Sequence, residues 1–107
     1  MFYKQACSGY KLAVQGVMMK TLVYGENTLF TEFRLAAGHS LPRHRHTQEQ
    51  TGYLVSGAIQ LSVGESTYDV QPGDSWCIPG NVEHGATIVA DSVAIEVFSP
   101  VRKDYLP

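Results

Sequence analysis

The segments Gly38-His-Ser-Leu-Pro-Arg-His44-Arg-His46-Thr-Gln-Glu-Gln50-Thr-Gly-Tyr-Leu-Val-Ser-Gly57 and Gly73-Asp-Ser-Trp-Cys-Ile-Pro79-Gly-Asn-Val-Glu-His84 decide the fold. A β-strand turns successive side chains to opposite faces, so His44 and His46 share one side of a strand and Gln50 shares their parity. His84 lies far off in the chain. It joins them only if a β-barrel folds it back. Three imidazoles and a carboxamide converging on one point make a transition-metal site.

The order and spacing of these residues resemble the cupin family, whose two motifs read G-x5-H-x-H-x3/4-E-x6-G and G-x5-P-x-G-x2-H-x3-N. The glycines at 38, 57 and 73, the proline at 79 and all three histidines match. Gln50 stands where the family usually has Glu. Asn81 replaces the second motif's inner glycine, and Asn also accepts positive φ. Ile88 replaces its asparagine. The resemblance implies an all-β fold, a jelly-roll β-barrel.

A chain of 107 residues is the size of one domain, expected here as a single cupin domain over residues 1–107. Hydrophobic content of 44% and charged content of 17% are those of a globular protein. A formal charge of −2 with no basic run argues against nucleic acid as a partner. Residues 1–14 are broken by Lys4, Gln5, Ser8, Gly9 and Lys11, and no stretch is long and apolar enough to span a membrane. Cys7 and Cys77 are far apart and form no disulfide scaffold. The expectation is a reduced, cytoplasmic protein with a small-molecule substrate.

Gly and Pro recur too often for a helix. Short β-rich runs are divided by turn signals. The expected strands are 11–15, 17–24, 29–35, 40–46, 50–56, 59–63, 67–70, 75–78, 85–89 and 92–98. Turns are expected at 25–27, 38, 57, 64–66, 72–74, 79–81 and 90–92. Strands this short and close make a sandwich or barrel, with a jelly roll as the closure. The tail, 100–107, is expected to lie over the barrel or a partner.

Neutral imidazoles offer lone pairs near neutral pH, which makes His44, His46 and His84 ligands for a divalent transition metal such as Ni, Zn, Fe, Mn or Cu. Gln50 is the expected fourth ligand. Glu49 is the alternative, but its parity puts it on the opposite face, and the six residues to Gly57 fit Gln50. An all-neutral set leaves the full charge on the ion and strengthens it as a Lewis acid. His39 has the wrong parity for the cluster and is expected in solvent. Cys77 is expected as a small buried hydrophobe. Trp76 either lines the cavity or packs in the core.

The last expected strand places Val93, Ile95 and Val97 on one face and Ala94, Glu96 and Phe98 on the other. The second set suits a polar spot in a cavity. The aliphatic set would pack on another sheet or a partner, and a homodimer is expected. Arg102 follows, and a guanidinium can hold a carboxylate by two parallel bonds. The ending Glu96-Val-Phe-Ser-Pro-Val-Arg-Lys-Asp-Tyr-Leu106, with Tyr24-Gly-Glu-Asn27 and Gln50-Thr-Gly-Tyr-Leu-Val-Ser-Gly57, resembles the KdgF-type pectin-degradation cupins. That resemblance implies metal binding by three His and one Gln and the linearisation of 4,5-unsaturated uronates. It also implies that Glu96, Phe98 and Arg102 are active-site residues, with Glu96 in place of an Asp. An O2-dependent dioxygenase of the quercetinase kind and a non-catalytic sugar- or metabolite-binding module are the other readings.

Overall fold

The computed structural model describes residues 1–107 and contains eight strands. They are β1 (Lys11–Val14), β2 (Val17–Tyr24), β3 (Leu29–Leu35), β4 (Ser40–His44), β5 (Glu49–Val63), β6 (Ser66–Val70), β7 (Ser75–Ile78) and β8 (His84–Ser99). The only helical element is a 3₁₀ turn at Lys103–Tyr105. No helix is long and apolar enough to cross a membrane.

Ten strands were expected and eight are present, because two pairs fuse. The runs at 50–56 and 59–63 are one strand, β5, and those at 85–89 and 92–98 are one strand, β8. The turn signals between them, Gly57 and Ala90-Asp-Ser92, are bends inside continuous strands. The β5–β8 register slips three times between Leu54 and Ile59, as β-bulges do when a ribbon must bend without losing its ladder. Gly57 sits in this stretch at φ +94°, a left-handed conformation that side chains resist.

The bend divides the β5–β8 ribbon between two layers. Its outer half pairs β8 with β3 and β5 with β7. Its inner half pairs β8 with β4 and β5 with β6. β2 and β1 extend the first layer beyond β3. The two layers close on one apolar core of Val17, Met19, Leu29, Phe33, Leu35, Leu54, Ile59, Leu61, Val70, Ala86, Ile88, Ala94 and Phe98. This is the jelly-roll closure.

Period-two burial runs along β3 and the second half of β8, as the alternation of side chains requires. Ala94, Glu96 and Phe98 face inward. Val93, Ile95 and Val97 lie half-buried on the outer face, with Phe30 opposite Val97 and Tyr53 opposite Ile95. The tail does lie over the barrel. Tyr105 packs edge-on against Phe33 and Phe98 at 6.1 and 5.5 Å, and its carbonyl accepts the Thr21 hydroxyl.

The bend generates a prediction. A Cβ at Gly57 would sit 2.1 Å from Ser92 Oγ and 2.4 Å from the Asp91 carbonyl oxygen. Gly57→Ala should lower unfolding free energy in urea by at least about 2 kcal/mol. Gly25→Ala meets nothing within 4 Å and should change it by less than about 0.5 kcal/mol. Equal midpoints for the two variants would show that the bend does not depend on Gly57.

Candidate metal centre

β4 ends at His44, whose cross-strand partner is His84 at the start of β8. His46 lies two residues beyond the strand, not on it as expected. A turn holds it in place. Asn81 adopts φ 65°, as Asn for Gly allows, and its N–H donates to the His46 carbonyl at 2.7 Å. The His44, His46 and His84 rings lie 4.3–5.7 Å apart by centroid, and one ring nitrogen from each lies within 4.8 Å of the others.

Each imidazole is oriented by its backbone surroundings. Nδ1 of His44, His46 and His84 faces the carbonyl of Pro42, Gln48 and Val82 at 2.8, 3.0 and 2.9 Å. A carbonyl only accepts, so Nδ1 carries the hydrogen and Nε2 keeps a lone pair. His46 Nε2 faces Gln50 Oε1 at 3.1 Å, which sets acceptor against acceptor. The Gln50 amide is held this way round because its Nε2 donates to Glu96 Oε1. His84 Nε2 is buried with no hydrogen-bond partner. Four acceptors with no donor among them fit a cation, and backbone-oriented imidazoles are the usual support of one.

Gln50 is buried and faces inward. Glu49 is exposed and faces outward, where its carboxylate accepts the Cys77 thiol at 3.7 Å. Cys77 is therefore exposed, not buried as expected: it pairs with Thr51 on the outer face of the sheet. His39 is half-buried rather than in solvent. Its ring packs so closely over Gly16 that a Cβ there would lie 2.2 Å from it. Its place is apart from the cluster, as expected.

His44, Gln50, Trp76, His84, Glu96, Phe98, Arg102 and Tyr105 line one cavity, whose remaining wall is mostly apolar. Its volume is about 50 Å³. Glu96 Oε1 accepts the Trp76 indole N–H at 3.0 Å as well as the Gln50 amide. Phe98 forms the floor against His46, with ring centroids 5.7 Å apart. The Arg102 guanidinium stacks 3.9 Å over Tyr105 and 5.2 Å over Phe98. Its Nε and Nη2 are held by Asp104 at 3.3 and 2.8 Å. Tyr105, Asp104 and the Trp76 bond escaped the sequence reading. The one available signal was the aromatic at 105, three positions after the arginine.

Burial raises the Glu96 carboxyl to about 6, against the bonds from Gln50 and Trp76 and the Arg102 charge, which lower it. Burial also drops His84 to about 4, helped by the charges of His44, His46 and Arg102. His46 is lowered too, first by burial and then by Arg102. Both imidazoles are thus neutral, with lone pairs free, at neutral pH.

Comparison with known proteins agrees with this fold. A family model described as "Cupin domain" matches residues 31–99. No curated protein sequence matches the chain. Among solved structures, KdgF from Halomonas sp. is 27% identical, with a TM-score of 0.86 over 91% of this chain and 90% of that one. An RmlC-like cupin from Shewanella frigidimarina is 24% identical, with a TM-score of 0.92 over 98% and 95%. A salicylate 1,2-dioxygenase from Pseudoaminobacter salicylatoxidans shares the fold at 17% identity and a TM-score of 0.76, over 82% of this chain and 28% of that one.

The buried groups give the metal-free protein a pH signature. As pH falls from 6.5 towards 4, the unfolded chain takes up a proton at His84 before the folded one does, so stability falls. Glu96 works the other way. Between 4.5 and about 6 the folded chain holds the proton, so stability from this group is lost as pH rises through that window. Glu96→Gln removes the opposing contribution, of order 2 kcal/mol at most. In chelator-treated protein, the loss of stability on acidification from pH 6 to 4.5 should be steeper in Glu96→Gln than in wild type. Parallel curves would mean that Glu96 does not hold its proton in the fold.

Proposed function

The chain belongs to the cupin family, and from that premise we propose that it is a metal-dependent enzyme acting on a small, oxygen-rich anion of the 4,5-unsaturated uronate class. His44, His46, His84 and Gln50 are the residues that would hold a divalent transition metal. The bound ion would supply Lewis-acid polarisation of substrate oxygens. The observation that carries the reading is the buried Glu96 carboxylate beside that cluster, with the Arg102 guanidinium in the same cavity. The likeness to KdgF of Halomonas sp. supports the choice of substrate class.

Arg102 is the group for the substrate carboxylate. It is preorganised by its stack on Tyr105, and a substrate anion must exchange with Asp104 for the guanidinium edge. The cavity of about 50 Å³ holds only a few waters, whereas small-molecule sites run to about 300 Å³ or more. A sugar acid therefore enters as Arg102 moves off Asp104. Phe98 supplies an apolar floor under the ring.

Linearising an unsaturated uronate is an isomerisation. The anomeric hydroxyl loses its proton, the bond from C1 to the ring oxygen opens to an aldehyde, and the released enol takes a proton at C4 to become a ketone. Glu96 is the proton carrier. Its Oε1 is occupied by Gln50 and Trp76, which leaves Oε2 to exchange the proton. A carboxyl at about 6 is close to the value that lets one group both accept and donate near neutrality. The mostly apolar cavity wall also suits an O2-dependent dioxygenase, which would need a redox metal and would consume oxygen.

The metal reading is tested by elemental analysis. Purified protein should carry about one divalent transition metal per chain. His44→Ala and His84→Ala should each lose it and His39→Ala should not; a metal-replete double variant of His44 and His46 contradicts the assignment.

The substrate reading is tested by loss of enol-ether absorbance from a 4,5-unsaturated monouronate. Arg102→Ala should raise KM by roughly ten- to a hundredfold, the loss of about 1.5–3 kcal/mol of charged bonding. Glu96→Gln should lower kcat with metal retained. No acceleration by wild type loaded with Ni, Zn, Fe or Mn ends the uronate reading, and oxygen uptake with an aromatic substrate would replace it with the dioxygenase.

A further inference from the structure

Three inward-facing positions lie in one row across three strands: Trp76 on β7, Gly52 on β5 and Glu96 on β8. The middle position has no side chain. The indole of Trp76 lies across that vacancy and reaches the carboxylate on the far strand, with Nε1 to Glu96 Oε1 at 3.0 Å. The fit is close. A Cβ at Gly52 would fall 2.2–2.4 Å from indole ring atoms, Nε1 among them. The glycine is needed here for space, since its φ is not in the left-handed range. One pair step along the same ribbon, Gln50 lies between Ile78 and Phe98 and donates its amide N–H to that same Glu96 oxygen.

We propose that Trp76 is a positioning residue for the metal centre: its N–H fixes Glu96 Oε1, and Glu96 in turn fixes which end of the Gln50 amide faces the histidines. Without the amide bond to Glu96, the Gln50 side chain is free to rotate and offer Nε2 to His46. That donor would satisfy the His46 lone pair and occupy the place of a cation. The relay works through acceptor geometry, so it needs an oxygen at position 96 and a donor at position 76, not a charge. It rests on the reading of His44, His46, His84 and Gln50 as the metal-holding set, and it does not depend on the substrate.

The test is Co²⁺ binding by metal-stripped full-length protein, read as the dissociation constant by chelator competition and as the visible absorption of the bound ion. Trp76→Phe keeps an aromatic ring over Gly52 and removes only the donor. It should weaken Co²⁺ binding roughly tenfold to a hundredfold and shift the absorption band, the scale of outer-sphere effects on metal sites. Gly52→Ala keeps the tryptophan but displaces the indole, and it should give the same change. Glu96→Ala should match them. Glu96→Gln, which keeps the accepting oxygen, should bind Co²⁺ near wild-type strength with the wild-type spectrum. Trp76→Phe decides alone should Gly52→Ala lose its cooperative unfolding transition. Wild-type affinity and spectrum in a folded Trp76→Phe protein overturn the relay. So does a Glu96→Gln protein as weak as Glu96→Ala, which would assign the effect to charge. Failure of wild type itself to bind Co²⁺ overturns the metal reading beneath both.

Discussion

Everything at the candidate metal centre depends on one long antiparallel ribbon folded back on itself. β5 and β8 pair along nearly their whole lengths, from Glu49 opposite Ser99 to Val63 opposite His84. If β8 were straight, Phe98 and His84 would stand on the order of 45 Å apart at strand rise. Yet the His46 ring lies within 5.7 Å of Phe98 and 4.9 Å of His84. The bend at Gly57 and Ser92 brings the two ends of the ribbon to one point. One end supplies Gln50, Glu96 and Phe98. The other supplies His84, and through β4 it supplies His44. The bulges that permit the bend are therefore as much part of the candidate site as the side chains that converge on it.

The buried charge inside the barrel is that of Glu96. A carboxylate is buried against the Gln50 carboxamide, whose oxygen in turn faces the His46 imidazole, acceptor to acceptor. Only two donors reach the carboxylate, and both reach the same oxygen. Burying such a group is costly unless a positive charge offsets it. The Arg102 guanidinium contributes at a distance, but Asp104 already holds its edge. Burial outweighs these contributions, and the carboxyl is lifted to about 6.

Much of this was legible in the sequence because strand periodicity and turn residues act locally. Three strands, 17–24, 29–35 and 75–78, fall where the β-rich runs and their flanking turns place them. The inward set Ala94, Glu96 and Phe98 follows from period two alone. Gln50 rather than Glu49 faces the cluster for the same reason. Errors arose where the outcome depended on another strand. Gly57 reads as a turn because glycine marks both turns and bulges, and only the partner strand distinguishes them. Cys77 reads as buried because small apolar residues usually are, but its register against Thr51 turns it outward. His46 reads as a strand residue, although its position is set by the turn at Asn81. The Trp76 bond needs the register of three strands at once, so no local signal could have shown it.

The ribbon's pairing also orders how the chain must find this structure. Val63 and His84 close a loop of about twenty residues that contains β6 and β7, whereas Glu49 and Ser99 close one of about fifty. The shorter closure loses less chain entropy, so pairing that begins at the inner end and zips outward follows the less costly path. Along that path His84 is anchored early, and Gln50 and Glu96 come into register only as the last pairs form. The candidate metal-holding residues are thus divided between the first and the last events of ribbon formation. A metal ion held by the finished set would act as a latch on this closure: it would leave nucleation untouched and retard the opening of the outer end.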